Sequence, residues 1–275
     1  LISRDYPLPC ADSLQALLRQ RLGKYLHVQW HAVTGSTNAD AAMLLRDASI
    51  PDCLVGAHHQ TAGRGRRGRR WDDAPGTVLM MSLGTRRKLD PRLLASLSLM
   101  SGVVACETLE RFLPPENRAR LNVKWPNDLL WDDAKLAGLL VESSLAAEGM
   151  VQLVIGMGMN LSQAQARSAA LGRSVADWQQ TGGSMALPEI IEALVQAWRE
   201  ALVLHASHGA APFVQRLAQR DALLGRPVRL SNGMEILAEG VARGCSTEGL
   251  LQLETAQGMS TWSIGEVSVL LEYAP

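Results

Sequence analysis

Four short apolar segments, 121–124, 129–131, 136–142 and 152–157, follow one another closely, and this crowding most restricts what the chain can become. Each has the length of a strand. Trp125-Pro126-Asn127-Asp128 and Asp132-Asp133-Ala134-Lys135 provide turn chemistry between them. A sheet therefore forms here, and the rest of the chain must supply its cover. Further strand-like runs lie at 27–33, 53–57 and 77–83. Helical patterns lie at 12–22, 39–45, 93–112, 188–205 and 212–222. Ser36-Thr37-Asn38 reads as the N-cap of the second helix. Pro114 and Pro115 stop the third, and Pro188 sits in the first turn of the fourth.

After Gly225 the character changes. Short strands at 227–230, 235–242, 250–254 and 261–264 are separated by Asn232-Gly233 and Glu248-Gly249 turns. This tail carries three basic and six acidic residues and reads as a separate small β-barrel. The expected division is a domain of residues 1–222 and a second of 223–275.

With 275 residues, 47% apolar and 20% charged, the chain can bury a large core, which excludes wholesale disorder. Basic and acidic residues balance at 27 each, giving no support to a life on bulk nucleic acid. Cys10, Cys53, Cys106 and Cys245 form no CxxC pair and no zinc spacing, so they read as reduced thiols of a cytoplasmic protein. Residues 1–7 lack an apolar signal-peptide region, and the apolar stretch 93–106 is too short to span a bilayer. No membrane partner is expected.

Charge is uneven locally. Gly63-Arg64-Gly65-Arg66-Arg67-Gly68-Arg69-Arg70-Trp71 places five arginines in seven residues. Glycines let the backbone approach a ligand, and guanidinium forks match phosphate oxygens. Trp71 can stack on a base. The residues alone leave two readings open, a phosphate cradle or a solvated RNA-binding tract. In the empty protein like charges should repel and leave the loop mobile. Elsewhere, Lys135 at the mouth of an apolar strand can neutralise a carboxylate or phosphate. Gly156-Met157-Gly158-Met159-Asn160 is weak as a phosphate motif, because it lacks a third glycine and no helix clearly follows. His58-His59 reads as a strand end without a third metal ligand.

Together these segments resemble the biotin protein ligases. The resemblance rests on Ser36-Thr37-Asn38, the run from Gln60 through Trp71, Lys124-Trp125-Pro126-Asn127-Asp128, Lys135-Leu136-Ala137-Gly138 and Gly156-Met157-Gly158-Met159-Asn160, in family order. It implies an α+β fold: a mixed β-sheet with packed helices, akin to class II aminoacyl-tRNA synthetases, plus a small C-terminal SH3-like β-barrel. It also implies a two-step reaction. Biotin and MgATP give biotinyl-5′-AMP and pyrophosphate; a lysine of the biotin carboxyl carrier domain of acetyl-CoA carboxylase then takes the biotin and AMP leaves.

The same resemblance assigns roles. Lys135, Arg66 and Asp128 are catalytic. Ser36, Thr37, Asn38, Gln60, Arg64, Gly65, Arg66, Lys135 and Gly138 hold biotin, with Gly138 letting the backbone pass close to the ligand. Arg64, Arg66, Arg69, Trp71, Lys135, Asn127 and Asn160 hold ATP or the adenylate, Trp71 and Asn160 near the adenine. Asp128 either orients the incoming lysine amine or binds Mg2+. Members that also repress transcription carry an N-terminal winged helix; the thirty-five residues before Ser36 are too few for it, so no DNA-binding role is expected. Dimerisation by sheet pairing is a family option. The rival readings are a lipoate or octanoate ligase of the same fold, and a nucleic-acid-binding regulator using the arginine loop.

Overall fold

The computed structural model describes residues 8–71, 74–146, 149–263 and 265–270. The N-terminal reading of residues 1–7 and the last residue of the strand expected at 261–264 lie outside them. Strands β1 (His27–His31), β2 (Asp52–Ala57), β3 (Val78–Lys88), β4 (Leu121–Lys124), β5 (Asp128–Trp131), β6 (Ala134–Leu145) and β7 (Met150–Asn160) form one seven-stranded sheet in the order β1-β2-β3-β7-β6-β5-β4. Only β1 and β2 run parallel; the other pairs are antiparallel. Helices α1 (Ala11–Leu22), α2 (Thr37–Leu44), α3 (Leu97–Glu110), α4 (Ala164–Leu171), α5 (Leu187–His208) and α6 (Ala211–Leu217) surround it.

Strand alternation decides which face carries the core. Leu79, Met81 and Leu83 of β3, Val151, Leu153, Ile155, Met157 and Met159 of β7, and Ala137 and Leu139 of β6 join the main core with α1, α3 and α5. The intervening residues point the other way. There Cys53, Val55 and Val154 pack under Ala41 and Leu45 around α2, and the rest of that face is left small or polar. Helix α1 shows Leu14, Leu18 and Leu22 to the core, one per turn.

Several elements differ from the sequence expectation. The helix expected at 93–112 is split: a 3-10 turn, Pro91–Ser96, precedes α3, with the Asp90 carboxylate accepting from Arg92 N. The run Pro91–Glu110 is apolar and long enough to cross a membrane, but 67% of it is buried among α5, α6 and the sheet. The helix expected at 212–222 ends at Leu217, because Asp221 bridges to Val123 beside β4. A helix does follow Gly156-Met157-Gly158-Met159-Asn160. Its first N–H groups are served by a residue far along the chain, Asp177, whose Oδ2 accepts from Ala164 N at 2.8 Å, so no local cap announces it.

His205 of α5 is fully buried, with Nε2 2.8 Å from Ser96 Oγ. Burial pushes its pKa down to about 4. The folded protein therefore holds it neutral while the unfolded chain takes a proton near its ordinary value, about 6.5. The sign follows: its stabilising neutrality is fully present above pH 6.5 and is lost as pH falls from there towards 4, at up to about 1.4 kcal/mol per unit. Denaturant titrations of wild type and His205→Phe should diverge in slope over this window. Parallel pH profiles would contradict it.

The C-terminal residues form a second, antiparallel sheet of five strands, β8 (Pro227–Ser231), β9 (Ile236–Cys245), β10 (Leu251–Thr255), β11 (Gly258–Trp262) and β12 (Glu266–Val269), in the order β11-β10-β9-β8-β12. Four strands were expected; β12 is the fifth. Trp125 Nε1 donates to Gly249 O at 3.2 Å and ties this sheet to the first.

Candidate functional site

The site lies on the sheet face that the main core does not use. The register aligns Met80, Gly158, Gly138 and Asp128 in one row across β3, β7, β6 and β5, and Ser82, Gly156 and Leu140 in the next. The missing side chains are what make a floor. A Cβ on Gly156 would lie 2.0 Å from Asn38 Oδ1, and one on Gly158 would lie 2.6 Å from the Trp71 indole. The GMG motif thus clears space for the chain's own Asn38 and Trp71 and is not itself built as a phosphate loop. Gly138 behaves likewise: its Cβ would meet Lys135 Nζ at 3.0 Å and Trp71 at 3.2 Å, so the room expected for a ligand is taken by protein.

Above this floor is a cavity of about 370 Å³. Every residue expected in the site lines it except Asn160. Part of the lining is uncharged. Thr37 N donates to Gln60 Oε1 at 2.7 Å, so Gln60, and not the Ser36 hydroxyl, caps α2. Ser36, Thr37 and Asn38 are all buried there. The lining also carries seven cations, Arg64, Arg66, Arg69, Arg70, Lys124, Lys135 and Arg173, against Asp128 and Glu266.

The arginine segment is a small hairpin. Arg64 bridges Arg70, Gly65 N donates to Arg69 O at 2.7 Å, and Trp71 N donates to Gly63 O at 3.0 Å. Its tip turns at Arg67, whose φ of 58° is left-handed. The charge of the hairpin is met by counter-groups from elsewhere in the protein. Arg69 pairs with Glu266, Arg64 Nη2 lies 3.5 Å from Glu142 Oε1, and Arg66 Nη1 donates to Asn127 Oδ1 and Gly265 O, both at 3.3 Å. Burial lowers the Arg66 pKa, with Arg67 adding repulsion and Asp128 and Glu266 opposing it.

Lys135 is the best-held cation. Its Nζ donates to Asp128 Oδ1 at 2.6 Å and stands 5.5 Å from the centre of the Trp71 ring. Its main chain is clamped as well: N donates to Ser174 O at 3.2 Å, and O accepts from Ala176 N at 3.0 Å and Asn160 Nδ2 at 3.1 Å. Asn160 is therefore beneath the site, fixing Lys135, and does not reach the cavity where adenine contact was expected. Two other asparagines are spent within the protein. Asn127 Nδ2 donates to Leu139 O at 2.7 Å, and the Asn38 amide is shared among Ser82, Glu142 and Leu140 O. Beside Asp128, burial lowers the Lys124 pKa, and nearby Lys135, Arg173 and Arg226 push it further while Asp128 resists.

The side chains alone do not make a closed magnesium site; an ion carried by ATP would take most of its ligands from the phosphates. Among the described residues no three His, Cys, Asp or Glu side chains are grouped to hold a metal. Asp128, one of whose expected roles was as its ligand, gives its carboxylate to Lys135. Sequence reading missed Lys124 as a site residue although its motif was recognised, and missed Arg173 and Glu266 altogether. Arg173 carries no local signal. Glu266 comes from the other sheet, on the strand that was not expected.

Residues 32–160 match the profile of the biotin/lipoate A/B protein ligase family, and residues 223–270 that of the biotin protein ligase C-terminal domain. The bifunctional ligase/repressor BirA of Escherichia coli K12 is 34% identical over 86% of this chain and 72% of its own length. The biotin--[acetyl-CoA-carboxylase] ligase of Paracoccus denitrificans is 31% identical over 86% of this chain and 98% of its own. Biotin protein ligase from Aquifex aeolicus, solved in complex with biotin and ATP, has the same fold, with a TM-score of 0.70 at 24% identity over 89% of this chain and 98% of that one.

Proposed function

The chain belongs to the biotin protein ligase family, and from that premise we propose that it activates biotin with ATP and transfers it to a lysine of a biotin carboxyl carrier domain of acetyl-CoA carboxylase. The observation that carries this reading is the mixed lining of the cavity. The half-buried Thr37–Gln60 pair suits an uncharged ureido ring, and the seven cations of the same cavity suit a carboxylate and a triphosphate that must meet.

In the first step a biotin carboxylate oxygen attacks the α-phosphorus, the bond to the bridging oxygen breaks, and pyrophosphate leaves. Lys135 stands between the two anions and offsets their repulsion. Arg64 and Arg66 close over biotin and the adenylate, and Arg69 exchanges Glu266 for the departing pyrophosphate. In the second step the acceptor amine attacks the acyl carbon, the carbon–oxygen bond to AMP breaks, and the amine loses a proton. Asp128 orients that amine, its carboxylate already fixed by Lys135. A mixed anhydride is destroyed by water, so the hairpin also protects it.

In this reading residues 1–222 are the catalytic domain, and 223–275 are an SH3-like barrel that reaches the cavity through Glu266. Four free thiols suit a cytoplasmic setting. The test is ATP–pyrophosphate exchange followed by labelling of a carrier lysine. Biotin should support exchange, whereas lipoate and octanoate, having no ureido group for Thr37 and Gln60, should not. Exchange with either acid but not with biotin would overturn the assignment.

A further inference from the structure

Resting on the biotin reading, we propose that Glu142 and Ser82 set the hydrogen-bond polarity of the head-group pocket, making Thr37 an obligatory acceptor that selects ligands presenting a ring N–H. Glu142 belongs to β6 and Ser82 to β3, and neither lines the cavity. Both act through other side chains as positioning residues.

The argument is a count of protons. The Asn38 amide is fixed from one side: Nδ2 lies 2.7 Å from Glu142 Oε2 and 3.3 Å from Leu140 O, and both of these accept only. The amide oxygen must then face Ser82, whose Oγ lies 2.6 Å away. Asn38 Oδ1 has no proton, so the Ser82 hydroxyl donates its single hydrogen there. Ser82 Oγ is also 2.8 Å from Thr37 Oγ1, and with its own hydrogen spent it can only accept. Thr37 therefore gives its hydroxyl proton to Ser82. Gln60 Oε1, 3.1 Å from Thr37 Oγ1, accepts from the Thr37 main-chain N–H at 2.7 Å and has a second lone pair, but a Thr37 hydroxyl proton spent there would leave Thr37 and Ser82 lone pair against lone pair at 2.8 Å. What Thr37 offers a ligand is a lone pair.

The chain of donors is anchored by an ionised carboxylate, so it has one sense. Asn38 and Ser82 are buried, and reversing the sense would set two acceptors or two donors face to face out of water. A ureido N–H satisfies the lone pair; an oxygen at the same place meets it with another. Glu142 also lies 3.5 Å from Arg64, so one carboxylate serves both the pocket wall and the hairpin.

The test uses the full chain and two isosteres of biotin, each with one ring N–H replaced by oxygen, with affinities measured by calorimetry. In wild type, the isostere that loses the N–H facing Thr37 should bind at least about tenfold more weakly than biotin. In Glu142→Ala and in Ser82→Ala the Thr37 proton is released from its fixed partner, and the ratio should fall to within about threefold. Glu142→Gln keeps an oxygen for Asn38 and loses the ion pair with Arg64; it should restore the wild-type ratio. That rescue separates polarity from charge and from general damage to the fold. If Glu142→Ala does not fold, Ser82→Ala decides alone. A wild-type ratio retained in Ser82→Ala, or absent in wild type, overturns the proposal. Folded wild type that binds no biotin overturns the ligase reading itself, whereas biotin binding with an unmoved ratio overturns only the polarity argument.

Discussion

Lys135→Ala is expected to lower biotin-dependent ATP–pyrophosphate exchange by about 10²–10³-fold, the usual effect of deleting a group that stabilises charge in a dry site. The barrier to the first step is set by bringing a carboxylate against a phosphate. Lys135 is held by its head through Asp128 and by its main chain through Ser174, Ala176 and Asn160. The backbone clamps survive truncation, so the loss reports the ammonium and not a displaced strand. Truncation also leaves Asp128 without its partner, adding a third negative charge to two that already repel. Lys135→Ala/Asp128→Asn should therefore recover part of the rate. Rapid-quench measurement of the pyrophosphate burst checks this; an undiminished burst in Lys135→Ala would remove the residue from the mechanism.

The central strands were legible in sequence because both their signals are local. Apolar residues alternate, and Asp132 and Asp133 accept the left-handed turn, with φ of 47° and 65°, that returns β5 into β6. The residues grouped in the site were also legible, since Thr37, Gln60, Arg66, Asp128 and Lys135 fall in motifs. Their partners were not. Ser36 looks like a helix cap, yet the cap comes from Gln60, 23 residues downstream of Thr37. Helix α4 is capped by Asp177, 13 residues beyond its start. The arginines predict repulsion only when read alone, because the acids that quench them lie at 142 and 266. Nor does a sequence show that Gly138 and Gly158 make room for Trp71, since that needs the register of three strands. In each case a long-range pairing replaced the nearest local solution, and a one-dimensional pattern holds no trace of the choice.

That dependence on distant partners makes the hairpin the place where a single substitution should act most on the intermediate. Arg66→Gly is expected to release biotinyl-adenylate about 10–100-fold faster than wild type. Arg66 is the hairpin's half-buried tether; its guanidinium joins the tip to Asn127 beside β5 and to Gly265 O of the second sheet. Hydrogen bonds from a charged donor contribute about 1.5–3 kcal/mol, and about 1.4 kcal/mol is a factor of ten in rate. Removing this side chain leaves the hairpin's own backbone bonds intact but takes away what holds it down. The control is Arg67→Gly. Arg67 is exposed at the tip with φ 58°, a conformation glycine adopts more easily, so its loss should leave the off-rate within about twofold of wild type. Chasing labelled adenylate from each variant with excess unlabelled ligand measures all three rates. Equal rates for Arg66→Gly and wild type would mean that the hairpin stays closed without its tether, and that the closure rests on the Arg69 and Arg64 ion pairs instead.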